Sequence, residues 1–160
     1  MNTQIILPPP IVLPAGQLGY MYGIRLAHPV PNTGDHLGKL GKTKRKQPKF
    51  RLRDYIEHSG CLQNLFALWF GLFSVVEDIE DHNKSQYRNK RLLLLDDNLE
   101  WFDPAARVSN QDMIDMVETR VRAKGYQDEI FRVKAEHLPY THRSNYKDIL
   151  KDPNKYLERI

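Results

Sequence analysis

The strongest constraint on this chain lies where two opposite compositions nearly meet. Lys39–Arg53, KLGKTKRKQPKFRLR, holds eight cations and no acid. Shortly after it comes Cys61–Val76, CLQNLFALWFGLFSVV, the most apolar stretch of the sequence. Like charges repel along the first stretch, which favours a loop or tail in isolation. The second has to be buried. From Leu65 to Val76 it is apolar all round, as expected of a helix enclosed on most sides. The junction reads as a polyanion-binding arm joined to a protein core.

Charge along the chain supports that division. Residues 1–53 carry nine Lys/Arg against the single acid Asp35, whereas residues 54–160 carry fifteen against nineteen acids, within a total of +4. A basic arm on a mildly acidic body suits nucleic acid or an anionic surface. The plainer alternative is a solubilising tail. The 160 residues fit one domain, and 41% apolar residues with 16 aromatics are enough for a core. Cys61 is the one cysteine, which excludes an internal disulfide framework and points to an intracellular, reducing compartment. The start, MNTQIILPPPIVLP, has no positive residue and its apolar run is broken by prolines, so no secretory leader is expected.

Prolines 8, 9, 10, 14, 29 and 31 fix φ and remove backbone donors, so the N-terminal segment is expected to be extended. Its apolar residues, Ile11, Val12, Leu13, Tyr20, Met21, Tyr22 and Ile24 among them, call for a surface to pack on. Asp54 opens a helical reading, with Ser59 as a candidate N-cap before the long apolar helix. Leu92–Leu95 is strand or helix turn, and periodicity does not decide which. Asp96-Asp97-Asn98 reads as a turn, and Trp101-Phe102 as a packed anchor. Asn110–Lys124 is the clearest amphipathic helix. Met113, Met116, Val117 and Val121 share a face, Ser109 and Asp112 resemble a capping box, and Gly125 stands at the left-handed end position. Gln127–Leu138 is expected to be a short helix ended by Pro139, and the C-terminus two short helical pieces with Ser144 as cap and Pro153 at the break. The expected fold is mainly α: a helical body over 54–160 with an extended basic, Pro/Gly-rich arm over 1–53. It leaves room for one short β element near 91–95.

Catalytic motifs are incomplete. HLGKLGKT at His36–Thr43 nearly spells a phosphate-binding loop, but His36 occupies the first glycine position and the lead-in AHPVPNTG cannot be a central strand. LLLLDD at Leu92–Asp97 is the nearest magnesium-binding partner, in a chain short for such a fold. His58 with Cys61 and His137 with His142 could supply four zinc ligands, yet Pro139 breaks the second pair and the spacing fits no known finger. Glu77, Asp78, Glu80 and Asp81, with His82, Asn89, Asn98, Asp96 and Asp97, are raw material for a metal-dependent nuclease, but they more simply form a solvated helix end. Cys61 beside an apolar helix makes a poor nucleophile. A membrane reading is stronger: Ser59–Val76 has eighteen uncharged residues between basic and acidic flanks. Its continuously apolar part would span about 18 Å as a helix, against a hydrocarbon core of about 30 Å.

What remains is the basic arm. Lys39, Lys42, Lys44, Arg45, Lys46, Lys49, Arg51 and Arg53 offer diffuse positive charge, with Phe50 placed to stack on a base. The sequence therefore favours a non-enzymatic nucleic-acid-binding or assembly protein. Its arm would contact RNA or DNA without sequence specificity, and its apolar helix would dock on a partner protein or a second copy. No cofactor, metal or catalytic residue is assigned. The alternatives are an accessory subunit of a membrane-associated complex, with membrane contact, and a metal-dependent nuclease.

Overall fold

Gln63–Leu72, inside the apolar run, is a ten-residue strand at the centre of a five-stranded sheet, not a helix. The computed structural model describes residues 8–26, 37–44, 63–94, 98–103, 106–140 and 146–160. Strands β1 (Leu18–Leu26), β2 (Gly38–Thr43), β3 (Gln63–Leu72), β6 (Ile130–Val133) and β7 (Leu157–Glu158) lie in the order β2-β1-β3-β6-β7, every neighbouring pair antiparallel. A separate hairpin is made by β4 (Arg91–Leu94) and β5 (Asn98–Phe102). Among the described residues the α-helices are α1 (Phe73–Gln86), α2 (Asn110–Lys124), α3 (Tyr146–Lys151) and α4 (Pro153–Tyr156).

The mainly-α expectation is thereby overturned. A strand buried on both faces reads as a continuous apolar run, as a buried helix does, and only its neighbours decide between them. Here Leu68 and Phe70 enter one core with Tyr20, Tyr22, Ile24, Phe131 and Val133. Ala67 and Trp69 enter the other with Met21, Leu40 and Ile130. Phe66 is an extra residue in the ladder, since Gly23 faces Ala67 while Ile24 faces Leu65. At Gly71, one residue before the end of the strand, a Cβ would stand 2.2 Å from the Glu129 carbonyl oxygen, so the chains approach too closely for any side chain. The run then turns into α1 at Phe73. Among the described residues no helix is long and apolar enough to cross a membrane.

The sheet is covered on both sides. Phe73, Val76 and Ile79 of α1, and Met113, Val117 and Val121 of α2, pack on the face that carries Met21 and Trp69. Ile11 from the N-terminal segment and Ile149 from α3 cover the opposite face. Burial of these side chains drives the arrangement, at ~1.5–3 kcal/mol for each large apolar residue removed from water.

Local expectations fare differently. α2 spans Asn110–Lys124 with the full Ser109–Asp112 capping box, and Gly125 is left-handed at φ 69°. Trp101 and Phe102 are buried, and β4 supplies the short β element near 91–95. Pro153 starts α4 in its first turn. Gln127–Leu138, expected to be helical, instead contains β6 and a 3-10 turn over Ala135–Tyr140, because Ile130–Val133 pairs with β3 on one side and β7 on the other. Ser59, Ser144, Asp96 and Asp97 lie outside the described residues.

Candidate nucleic-acid interface

Strand geometry divides the lysines that the sequence groups together. Successive side chains of a strand point to opposite faces, so Lys39 and Lys42 of β2 part company. Lys39 stands opposite Ile24, is 5% exposed, and carries its ammonium 5.6 Å from the Trp101 ring centroid. Lys42 stands opposite Met21 on the helical face, 3.8 Å from Glu77 and 3.9 Å from Glu80 of α1. Lys44, just past the strand, is exposed with its ammonium 4.8 Å from the Phe73 ring centroid. Lys39 and Lys42 are thus engaged within the fold, and Lys44 leads toward solvent. Arg45, Lys46, Lys49, Phe50, Arg51 and Arg53 lie outside the described residues.

The same strand settles what Gly41-Lys42-Thr43 is. These residues sit inside the β1–β2 ladder, with Gly41 opposite Tyr22. A Cβ on Gly41 would fall 2.4 Å from the buried Tyr22 ring. The glycine gives space to an aromatic neighbour and does not curl around a phosphate.

The acids of α1 do not act as one group. Glu77 and Asp81 are exposed. Asp78 accepts from the Arg120 guanidinium at 3.2 Å through each of its oxygens and from the Tyr126 hydroxyl at 3.0 Å. Burial pushes the Asp78 carboxyl up, but those two partners outweigh it and hold it below the ordinary carboxylate value. Burial, followed by Asp78 itself, pushes the Tyr126 phenol up. Glu80 is 6% exposed and pairs with Lys84 at 2.8 Å, so this part of α1 is buried and not solvated as expected. Among the described residues no three His, Cys, Asp or Glu side chains converge to hold a metal ion. Of the four zinc candidates only His137 is described. Its Nε2 lies 3.0 Å from the Lys155 carbonyl oxygen, and its ring centroid 4.7 Å from that of Tyr156. His58, Cys61 and His142 lie outside.

One charged constellation escaped the sequence reading. Glu118 of α2, 4% exposed, accepts from the Trp69 indole and from the Arg132 guanidinium, which also donates to Glu158. Hydrogen bonds from Arg132 to Glu118 lead the effects that raise the guanidinium above its ordinary value, so it is a fixed cation. The signal was present: Glu118 adjoins Val117 and stands three residues before Val121, beside the apolar stripe of its helix. Its partners come from strands that no local pattern announced.

Residues 20–160 match the model of the family described as the Ku70/Ku80 N-terminal alpha/beta domain. No curated protein matches the chain, and no solved structure matches it.

Proposed function

The chain belongs to the Ku70/Ku80 N-terminal alpha/beta domain family, and on that premise we propose that it binds DNA ends and assembles with a partner Ku-type subunit. Membership carries the coarse reading, a DNA-binding protein that works with protein partners, and the family match over residues 20–160 is the observation that supports it. The sheet with helices on one face and helix plus extended chain on the other agrees with an alpha/beta description.

The finer part of the proposal concerns where DNA is held. Lys44 and the following Arg45, Lys46, Lys49, Arg51 and Arg53 supply the charge for phosphate neutralisation, with Phe50 interleaved. Lys39 and Lys42 support that segment from within the fold, since their ammonium groups already face Trp101 and the α1 carboxylates. Binding of this kind is sequence-tolerant and weakens with salt. An intracellular, reducing setting, inferred from the single Cys61, is part of the same proposal.

The test is a salt titration of binding to a labelled linear duplex, beside the same sequence as a covalently closed circle. Linear DNA is expected to bind more tightly than the circle, with affinity falling steeply as salt rises. Replacing Lys44, Arg45 and Lys46 together should flatten the log–log slope by about one unit for each phosphate no longer neutralised. Absence of binding at low salt would overturn DNA binding. An unchanged slope in the triple variant would overturn the assignment of the site.

A further inference from the structure

A cavity of about 340 Å³ lies between β3, β6, β7, α2 and the Ala135–Tyr140 turn. Its apolar wall includes Phe66, Ile114 and Leu138, and its charged wall is Glu118, Arg132 and Glu158. The apolar side chains come from three separate elements, β3, α2 and the Ala135–Tyr140 turn, so the wall is a product of the fold and not of one amphipathic stretch.

The charged wall decides what can enter. Among the described residues Arg132 is the one cation on the lining, and it is already engaged. Its Nε donates to Glu118 at 2.7 Å, its Nη2 donates to the other Glu118 oxygen, and its Nη1 donates to Glu158 at 3.2 Å. Glu118 also accepts from the Trp69 indole at 3.0 Å and has the Arg122 guanidinium 3.9 Å from its other oxygen. Glu158 differs: its side chain is 42% exposed, and Arg132 holds only one of its oxygens. An entering anion would meet two carboxylates, and each nitrogen of the one guanidinium already donates to one of them. A cation would meet the half-exposed Glu158 carboxylate beside an apolar wall that can take a hydrocarbon stem.

We propose that this cavity binds a primary ammonium carried on an apolar stem, with Glu158 accepting from the ammonium and Phe66, Ile114 and Leu138 packing on the stem. Two sources share that chemistry, a free alkylamine and the side chain of a lysine on another protein. The cavity is lined by β3, β6 and β7, none of which is the edge strand β2 that carries Lys39 and Lys42.

Trp69 lines the cavity, so indole fluorescence of the full chain reports occupancy. Hexylamine, Nα-acetyl-lysine methylamide and hexanoate are titrated in parallel. Saturable change is expected with at least one amine and not with hexanoate. Saturation by hexylamine alone assigns a free amine, and tighter binding of the lysine derivative assigns a protein side chain. Glu158→Gln, at a half-exposed position, should weaken amine binding about tenfold or more with an unchanged melting temperature. Ile114→Trp, which fills the apolar wall, should abolish saturation. No saturation by either amine, equal binding of hexanoate, or undiminished binding by Glu158→Gln would each overturn the proposal.

Discussion

Trp69 and Arg132 stand opposite each other across the β3–β6 ladder and donate to the same oxygen of Glu118, at 3.0 and 2.7 Å. One buried carboxylate thereby ties the central strand, its neighbour and α2 together. Glu118→Ala removes the acceptor, leaving the buried Trp69 indole N–H unbonded and the Arg132 guanidinium with Glu158 alone of its two carboxylate partners. We expect a loss of about 3 kcal/mol in a urea melt, toward the lower end for a broken buried pair because Arg132 keeps about a third of its surface in water. Glu118→Ala with Arg132→Met should recover part of that loss. A single variant as stable as the parent would show that the network contributes nothing.

Asp78 gives a pH dependence with a definite sign. Its folded carboxyl is held below the ordinary value despite burial, by Arg120 and Tyr126. The group therefore stabilises the fold fully above the unfolded pKa, about 3.9, and that contribution disappears as pH falls through the lower folded value. Carboxyl NMR should place Asp78 below a model aspartate in the parent and raise it in Arg120→Ala. The pair is partly exposed, so Asp78→Ala should cost no more than about 1 kcal/mol at neutral pH. An Asp78 that titrates alike in both proteins would remove Arg120 as the cause.

What could be read in advance follows from how local each signal is. The α2 boundaries came through because Ser109, Asp112 and Gly125 act on their own backbone within one turn. Trp101-Phe102 was legible as an anchor from aromatic content alone. β3 was not, because an apolar run enclosed on both faces has the same composition as an enclosed helix. β1, β2 and β6 depend on partners far along the chain, as in Tyr22 with Gly41 and Trp69 with Arg132. The candidate site suffered likewise. Counting cations over Lys39–Arg53 identified charge correctly, but strand alternation sends Lys39 and Lys42 to opposite faces, and a count carries no direction. Glu118 was visible beside an apolar stripe, whereas Arg132 and Glu158 belong to strands found only by folding.

Gly41 separates the strand reading from a phosphate loop by experiment. In a phosphate loop, Gly41→Ala would impair anion binding with little effect on folding. Here the added methyl would lie 2.4 Å from the ring of Tyr22, which is 0% exposed and has nowhere to move. Overpacking of this kind costs about 1–3 kcal/mol, read as a lower urea midpoint. DNA affinity measured well below the transition should stay unchanged. An alanine variant of parental stability would mean that Tyr22 does not hold this position.

Asn83 offers the opposite experiment, a stabilising substitution inside α1. It is 1% exposed, and among the described residues neither its amide nitrogen nor its amide oxygen has a hydrogen-bond partner. Leaving a polar group buried and unbonded costs ~1–3 kcal/mol, whereas replacing it with an apolar group of similar shape relieves that cost. Leucine shares asparagine's branching at Cγ, though its methyl groups are bulkier, and it is a better helix former. Asn83→Leu should therefore raise the urea midpoint, by about 1 kcal/mol in stability, with its helix content intact by circular dichroism. Asn83→Asp should do the reverse. It places a charge in the same surroundings, four residues from Ile79 and three from Glu80, whose own Oε2 is buried with no partner among the described residues. A leucine variant less stable than the parent would mean that the amide makes a hydrogen bond stronger than the relief of removing it.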